Sequence, residues 1–287
     1  MASSNPIQRL IAYLLPGAFL LTSAKDWLTH GWVLGHLQTA IFHPGLLVAD
    51  FPRYKEKAFA SVWAIGGLIC ARDTPASVLP ILANSGGVIL DVGPGAGHQV
   101  SRFSNVEGIK AIYGAEPGES MHPALKKRAA QAGLGGKYHI LNCEAKLKSL
   151  VPALIKAGLL NANDKQQLNP IFDEIVCIRV LCGIPDQDAV VQGLYDILKP
   201  GGRMVVCEHV INSGDSSKGG TVIGRFLQQL YMRIGWSALM GGCELTRDTL
   251  ASLQKAAEKD GGWDEVMLEL YEPYSTIPHI VGALVKK

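Results

Sequence analysis

From Gly86 onward the chain alternates short apolar runs with amphipathic stretches. Val88 to Val92, Ala111 to Ala115, Tyr138 to Asn142, Asp173 to Leu181 and Arg203 to Cys207 read as strands. The fourth is almost continuous in Ile, Val and Cys, as a strand covered on both faces must be. His122 to Gly133, Lys146 to Gly158 and Asp186 to Leu198 carry the helical period between them. Strand and helix in alternation predict a parallel sheet with helices on both faces. Val266 to Tyr271 and Ile280 to Val285 add two closing strands, and the polar stretch Asn161 to Asn169 reads as a surface loop. No internal repeat or low-complexity segment interrupts this pattern.

Residues 1–67 differ from the rest. Ile11 to Thr22 is almost wholly apolar but broken by Pro16, and Trp27 to Phe51 is apolar with His30, His36, His43 and Pro44 interleaved. Neither run reaches the ~18–20 uninterrupted apolar residues of a spanning helix. Short, proline-broken apolar helices suit a membrane interface or a lid over a hydrophobic pocket, and the two are compatible. The chain thus divides into an apolar helical extension (residues 1–67) and one α/β domain (residues 68–287).

Composition narrows the function. Of 287 residues, 48% are hydrophobic and 18% charged, too apolar for disorder. A net charge of +2 without a basic stripe gives no footprint for nucleic acid, and Lys126-Lys127-Arg128 reads as a solvated helix face. The six cysteines show no short paired spacing of the zinc or CxxC type, so no metal is expected and the thiols read as small buried hydrophobes in a reducing compartment. No cleavable secretory signal is evident, and the expected location is intracellular, in the cytoplasm or on the cytosolic face of a membrane.

The chemistry begins at Asp91-Val-Gly93-Pro-Gly95-Ala-Gly97, which follows a strand and is expected to open a helix. Glycines let the backbone turn tightly and press on a ligand, and a helix start offers free N–H groups. Dinucleotide folds favour G-x-G-x-x-G, whereas here the spacing is G-x-G-x-G with an acid two residues ahead. Glu116, at the end of the second strand, is placed to accept bonds from both hydroxyls of a ribose, with Glu119 as its competitor. Leu198-Lys-Pro200-Gly201-Gly202-Arg203 supplies a third signal, a turn into the fifth strand.

Together these motifs closely resemble the class I S-adenosylmethionine-dependent methyltransferases. The resemblance implies a seven-stranded Rossmann-like methyltransferase sheet with helices on both faces, in which Ile280 to Val285 is an inserted antiparallel strand. Val180-Leu-Cys182-Gly, Glu208-His209-Val210, Gly242-Cys243-Glu-Leu-Thr246-Arg247 and Pro278-His279-Ile-Val-Gly282 resemble the methyltransferase-like 7 group, which includes membrane-associated thiol methyltransferases with an apolar leading segment. Pro94 and the long stretch Lys146 to Asn169 depart from that pattern. By this resemblance Asp91, Gly93, Gly95 and Gly97 wrap the methionine half of S-adenosylmethionine and Glu116 holds its ribose. Glu144 sits near the adenine amino group, and Arg179 to Cys182 lie beside the sulfonium.

Methyl transfer from a sulfonium asks for in-line placement and an ionised nucleophile. A thiol is partly ionised near neutrality and an alcohol is not, so a base is optional for one and required for the other. His209 is the base candidate at the end of the fifth strand, with Glu208 beside it as a possible orienter of the ring; a purely structural role for His209 stays open, as it does for His279. The expected acceptor is a small hydrophobic molecule methylated on sulfur or oxygen, walled by the N-terminal helices and by Phe226 to Gly241 with Tyr231, Trp236 and Met240. A cyclisation or elimination that keeps the cofactor without transferring its methyl group is the alternative.

Overall fold

The structure, a computed structural model, describes residues 5–29, 41, 63, 66–161 and 169–287. Seven strands form one sheet: β1 (Gly87–Val92), β2 (Ile109–Ala115), β3 (Tyr138–Leu141), β4 (Phe172–Ile178), β5 (Leu198–His209), β6 (Glu265–Tyr271) and β7 (His279–Val285). Their order is β3-β2-β1-β4-β5-β7-β6. β1 to β5 pair in parallel, while β7 enters antiparallel between β5 and β6, as expected for the inserted strand. The order reverses between β1 and β4, and the crevice beyond the carboxyl ends of these strands is where doubly wound sheets hold ligands.

Alternation along the buried strands feeds two cores. Leu90, Val92, Ile175, Cys177, Met204, Val206 and Leu284 face one layer, and Ile89, Val176, Val205, Cys207 and Val281 face the other. After helical residues at 66–72, the helices of the α/β domain include α2 (Val78–Ala83), α3 (His122–Gln131), α4 (Leu147–Lys156), α5 (Gln187–Ile197), α6 (Val222–Arg233), α7 (Trp236–Leu239) and α8 (Thr249–Ala256). Leu150, Leu154, Val191, Leu194 and Leu253 from α4, α5 and α8 close the first layer; Val78, Leu82, Leu125 and Ala129 from α2 and α3 close the second. Each residue step of a strand reverses its face, so continuous apolar runs are needed to serve both layers.

Two strand ends differ from expectation. β4 stops at Ile178, because Arg179 takes a left-handed φ of 57° and turns the chain off the sheet. β5 begins earlier, at Leu198; its Pro-Gly-Gly segment bulges out, since Phe172 pairs with Leu198 but Glu174 pairs with Arg203.

The N-terminal helix is a larger correction. α1 (Pro6–Thr29) runs unbroken through Pro16. Its Pro6–Lys25 portion is long and apolar enough to cross a membrane by length and composition, at a mean hydropathy of 1.3. Proline has no N–H, so the carbonyl four residues earlier loses its helical donor. That carbonyl belongs to Ala12, and the buried Thr276 hydroxyl donates to it at 2.6 Å. Tyr231 Oη donates to the next carbonyl, Tyr13, at 3.0 Å, and Leu20 packs with Tyr231, Trp236 and Met240. Tertiary partners thus repair the proline defect and dock α1 on the domain. Apart from Ile41, the segment from Trp27 to Phe51, with its three histidines, and most of the predicted loop Asn161 to Asn169 lie outside the residues whose side chains are described.

Candidate active site

The turn after β1 is built by backbone geometry. Gly93 and Gly95 have φ of 59° and 57°, a region that costs other residues strain. A Cβ on Gly93 would collide with the Val180 side chain, and one on Gly95 would lie 3.0 Å from Trp63 Nε1. Gly97 serves packing, since a Cβ there would sit 2.8 Å from Leu125 Cδ1 on α3. The expected α-helix after this turn is absent: only a 3₁₀ turn, Val100–Phe103, forms before β2 starts at Ile109. Gly97 at φ 82° turns the backbone out of helical geometry where that helix would begin.

Glu116, buried just past β2, is fixed by two amides. Gly95 N–H donates to its Oε2 and Gly118 N–H to its Oε1, each at 2.8 Å. It therefore ties the glycine turn to the β2 loop while facing the cavity. Glu119 points elsewhere, accepting from exposed Asn142 Nδ2 at 2.5 Å.

Asp91 lies beneath the turn. It lines a small adjoining cavity of ≈30 Å³ with Gly93, Pro94 and Arg179, outside the lining of the large one. Tyr138 Oη donates to its Oδ2 at 2.7 Å, reaching across Gly114, where a Cβ would sit 2.6 Å from that hydroxyl. Burial pushes the Asp91 carboxyl up to about 6, against the opposing hydrogen bond from Tyr138. Glu144 is exposed, and it is not among the described residues lining the cavity; its N–H donates to Ser149 Oγ at 3.1 Å. The chain carries Glu144 away from the sheet edge because β3 ends at Leu141.

Across the switch point, Arg179 lines the cavity and sits 3.7 Å from Asp73. Glu208 does not orient His209: neighbours on a strand face opposite ways. Its Oε1 accepts from Val180 N–H at 2.8 Å and Leu181 N–H at 3.1 Å, holding the turn after β4. Burial raises the Glu208 carboxyl to about 7.

His209 instead meets sulfur. Its Nε2 lies 3.0 Å from Cys243 Sγ, and Trp236 Nε1–H donates to the same sulfur at 3.2 Å. Cys182, Cys243 and His209 bring their donor atoms within 4.8 Å of one another. A hydrogen bond from Cys182 holds the Cys243 thiol well below its usual range, with His209 and Trp236 adding to the effect against burial. Burial opposes protonation of His209, but Cys243 outweighs it and raises the imidazole. His279, opposite His209 on β7, stands with its ring 6.3 Å away and perpendicular. Burial, then Arg179 and His209, push it well below the ordinary histidine value. The cysteine pair escaped the sequence reading because its members come from separate turns, after β4 and after α7.

One cavity of ≈710 Å³, within the usual range of ~300–1,000 Å³ for ligand sites, joins the glycine turn to the cysteine cluster. Gly93, Gly95, Glu116 and Arg179 line one part, while Cys182, His209, Cys243 and His279 line another. Ile11, Leu15 and Phe19 of α1 join Trp236 and Met240 as its apolar wall. Phe226 is 60% exposed and faces away, contrary to expectation, and buried Tyr231 packs on α1. The arrangement fits a nucleoside sulfonium: a glycine cradle that a side chain would fill, an anchored carboxylate suited to ribose hydroxyls, and an apolar continuation for an acceptor.

Comparison with known proteins agrees. A thiol S-methyltransferase TMT1B of Rattus norvegicus is 33% identical over 128 residues, covering 43% of this chain and 48% of that protein. A ubiquinone/menaquinone biosynthesis C-methyltransferase UbiE of Vibrio vulnificus is 26% identical over 127 residues, covering 44% of this chain and 42% of that one. The chain thus spans about half the length of the curated relatives it matches. An O-methyltransferase family protein from Burkholderia thailandensis shares the fold, with a TM-score of 0.51, 10% identity, and coverage of 82% of this chain and 60% of that one. The family described as methyltransferase domain matches residues 70–261. With its glycine turn, Glu116 and inserted β7 in place, the chain belongs to that family, the class I methyltransferases whose cofactor is S-adenosylmethionine.

Proposed function

We propose that this chain methylates a small hydrophobic thiol. The observation that carries this is the pairing of His209 with Cys243 at the acceptor end of the cavity. A histidine committed to a sulfur partner is poorly placed to take a proton from an alcohol. Its neighbour His279, held well below its usual value, is a weak base. An acceptor that ionises by itself suits such a site: a thiol of pKa ~8.5 is a few per cent thiolate at neutrality. The thiol S-methyltransferases among the relatives support the same choice.

S-adenosylmethionine supplies an electrophilic methyl group on a sulfonium. The protein's part is placement. The turn Gly93–Gly97 and Glu116 fix the donor side, and the wall of Ile11, Leu15, Phe19, Trp236 and Met240 excludes water and aligns the acceptor. With S-adenosylmethionine bound, its methyl group would pass to the acceptor sulfur, the released electron pair staying on the donor sulfur and the acceptor's proton going to solvent.

The test is methyl-labelled S-adenosylmethionine with matched hydrophobic thiols, phenols and alcohols. Labelled thioether and S-adenosylhomocysteine should appear in equal amounts, with a rate that follows the ionisation of the acceptor thiol. Transfer to oxygen alone, or turnover without S-adenosylhomocysteine, would overturn this reading; the latter belongs to a cyclisation or elimination.

The apolar acceptor also suits a membrane source. α1 presents Leu10, Leu14 and Leu21 outward, and neighbouring α6 presents Ile223 and Phe226, all more than half exposed. Such helices lie in a bilayer interface with the apolar face down. Leu14→Asp with Phe226→Asp, both facing away from the cavity, should abolish flotation with vesicles while leaving cofactor binding intact. Undiminished flotation would remove this face from membrane contact.

A further inference from the structure

The cluster at the acceptor end has the composition of a catalytic metal site. Cys182 comes from the turn after β4, His209 from the end of β5 and Cys243 from the loop after α7. Backbone contacts hold these elements in register: Glu244 N–H donates to the Cys182 carbonyl at 3.0 Å, and Cys243 N–H to Met240 at 3.2 Å. Their two sulfurs and one imidazole nitrogen lie within 4.8 Å of one another. A tetrahedral zinc with Zn–S of about 2.3 Å and Zn–N of about 2.0 Å sets ligand–ligand edges of roughly 3.5–3.8 Å. The 3.0 Å separation of His209 Nε2 and Cys243 Sγ needs only a small side-chain rotation to meet that.

Three further features fit a metal rather than a plain hydrogen-bonded trio. All three donors line the cavity, so a fourth position would face the acceptor. Structural zinc sites are closed by four protein ligands, whereas catalytic ones keep a position open and include Cys₂His sets. Trp236 Nε1–H donates to Cys243 Sγ at 3.2 Å, the kind of outer contact that orients a ligating thiolate. Finally, His279 Nε2, on a buried residue that lines the same cavity, has no hydrogen-bond partner among the described residues. A polar atom left bare at such depth points to something bound in the space it faces.

We propose that Cys182, His209 and Cys243 bind one zinc ion whose fourth position opens to the cavity and takes the acceptor sulfur as a thiolate. The binding of the ion stands on the cluster alone; the coordination of the acceptor rests on the thiol reading above. The acceptor loses its proton to solvent on coordination and forms its new S–C bond from the thiolate. The donor C–S bond breaks with its pair retained on the departing sulfur. The product thioether, neutral and a poorer ligand, then leaves the ion.

The test uses the full chain purified without chelators. Elemental analysis should find about one zinc per chain, and cobalt in its place should show a thiolate charge-transfer band and tetrahedral visible bands. Cys182→Ser and Cys243→Ser should each lower zinc affinity at least ~10-fold in a chelator competition while S-adenosylhomocysteine still binds. If either variant fails to fold, the cobalt spectrum of the unaltered chain decides. No zinc after equilibration with micromolar metal, together with no charge-transfer band, would overturn the site. Removal of zinc should cut thiol methylation at least ~10-fold, restored by one equivalent of zinc. Full thiol methylation by the zinc-free chain would overturn the coordination of the acceptor while leaving the thiol reading standing. A zinc-loaded chain that methylates phenols but not thiols would sink the thiol reading and leave the metal site.

Discussion

The two ends of the cavity are made differently. At the donor end, Gly93, Gly95 and Glu116 belong to consecutive strand–loop units, and the contacts that fix them run from backbone amides to a carboxylate. At the acceptor end, α1, the turn after β4, the ends of β5 and β7, and the loop after α7 each contribute a few side chains. There the polar contacts join side chains of distant residues, such as His209 and Cys243, 34 positions apart. A site made from backbone tolerates little change and suits an invariant cofactor. One made from side chains on separate elements can be retuned piece by piece, which suits an acceptor that differs between relatives named for sulfur and for carbon methylation.

The contrast predicts that donor-end changes act on binding and acceptor-end changes on turnover. Gly95→Asp should have the largest effect. It puts a side chain on a left-handed backbone position, sets a Cβ against Trp63 and places a second carboxylate beside Glu116. Affinity for S-adenosylhomocysteine should fall at least ~100-fold by calorimetry. A variant that binds like the unaltered chain would detach the glycine turn from the donor end.

Next comes the buried acid beneath that turn. Asp91 is faced by Tyr138 from β3, Glu116 from the β2 end and Cys177 from β4. Its carboxyl is raised from 3.8 to about 6 in the folded chain. A raised carboxyl means the folded state binds its proton more tightly, so this stabilisation is full below about pH 4 and lost as pH rises through about 6. The shift corresponds to about 3 kcal/mol of unfolding free energy between those limits. Denaturant melts without cofactor should show that decline on top of the one that the buried Glu208, raised to about 7, adds over a slightly higher range, and Asp91→Asn should remove the Asp91 share while keeping the Tyr138 bond. An unchanged pH slope in the variant would place the decline elsewhere.

The smallest effects separate two neighbouring acids. Glu116→Ala removes an acceptor worth ~1.5–3 kcal/mol, so cofactor affinity should drop roughly tenfold to a hundredfold. Glu119→Ala, which loses only an exposed contact with Asn142, should be neutral. The reverse order would move the ribose contact to Glu119.

The donor end was legible in the sequence because its logic is local. Glycines before a strand-end acid, at a fixed interval, announce a turn and its anchor without any tertiary knowledge. The seven strands were legible for the same reason, since a run such as Ile175–Cys177 has to serve two cores at once. Strand ends were less so: nothing in its residue type marks Arg179 as left-handed, and the position follows from Glu208 clasping the next two amides. The adjacency of Glu208 and His209 misled, because adjacency on a strand separates side chains. The cysteine cluster was invisible, since no short spacing connects residues that meet only through the fold. Pro16 was read as a break when its cost is met by a residue from the far end of the chain.

That last contact makes α1 a ruler. The Ala12 carbonyl that Pro16 frees is matched to the buried Thr276 hydroxyl, which fixes one point along the helix. Sliding α1 by one turn, about 5.4 Å, would strand both groups at ~1–3 kcal/mol each. The helix is therefore indexed to a single axial setting. Ile11, Leu15 and Phe19 ride on that index, so the depth of the cavity they line is measured from Thr276.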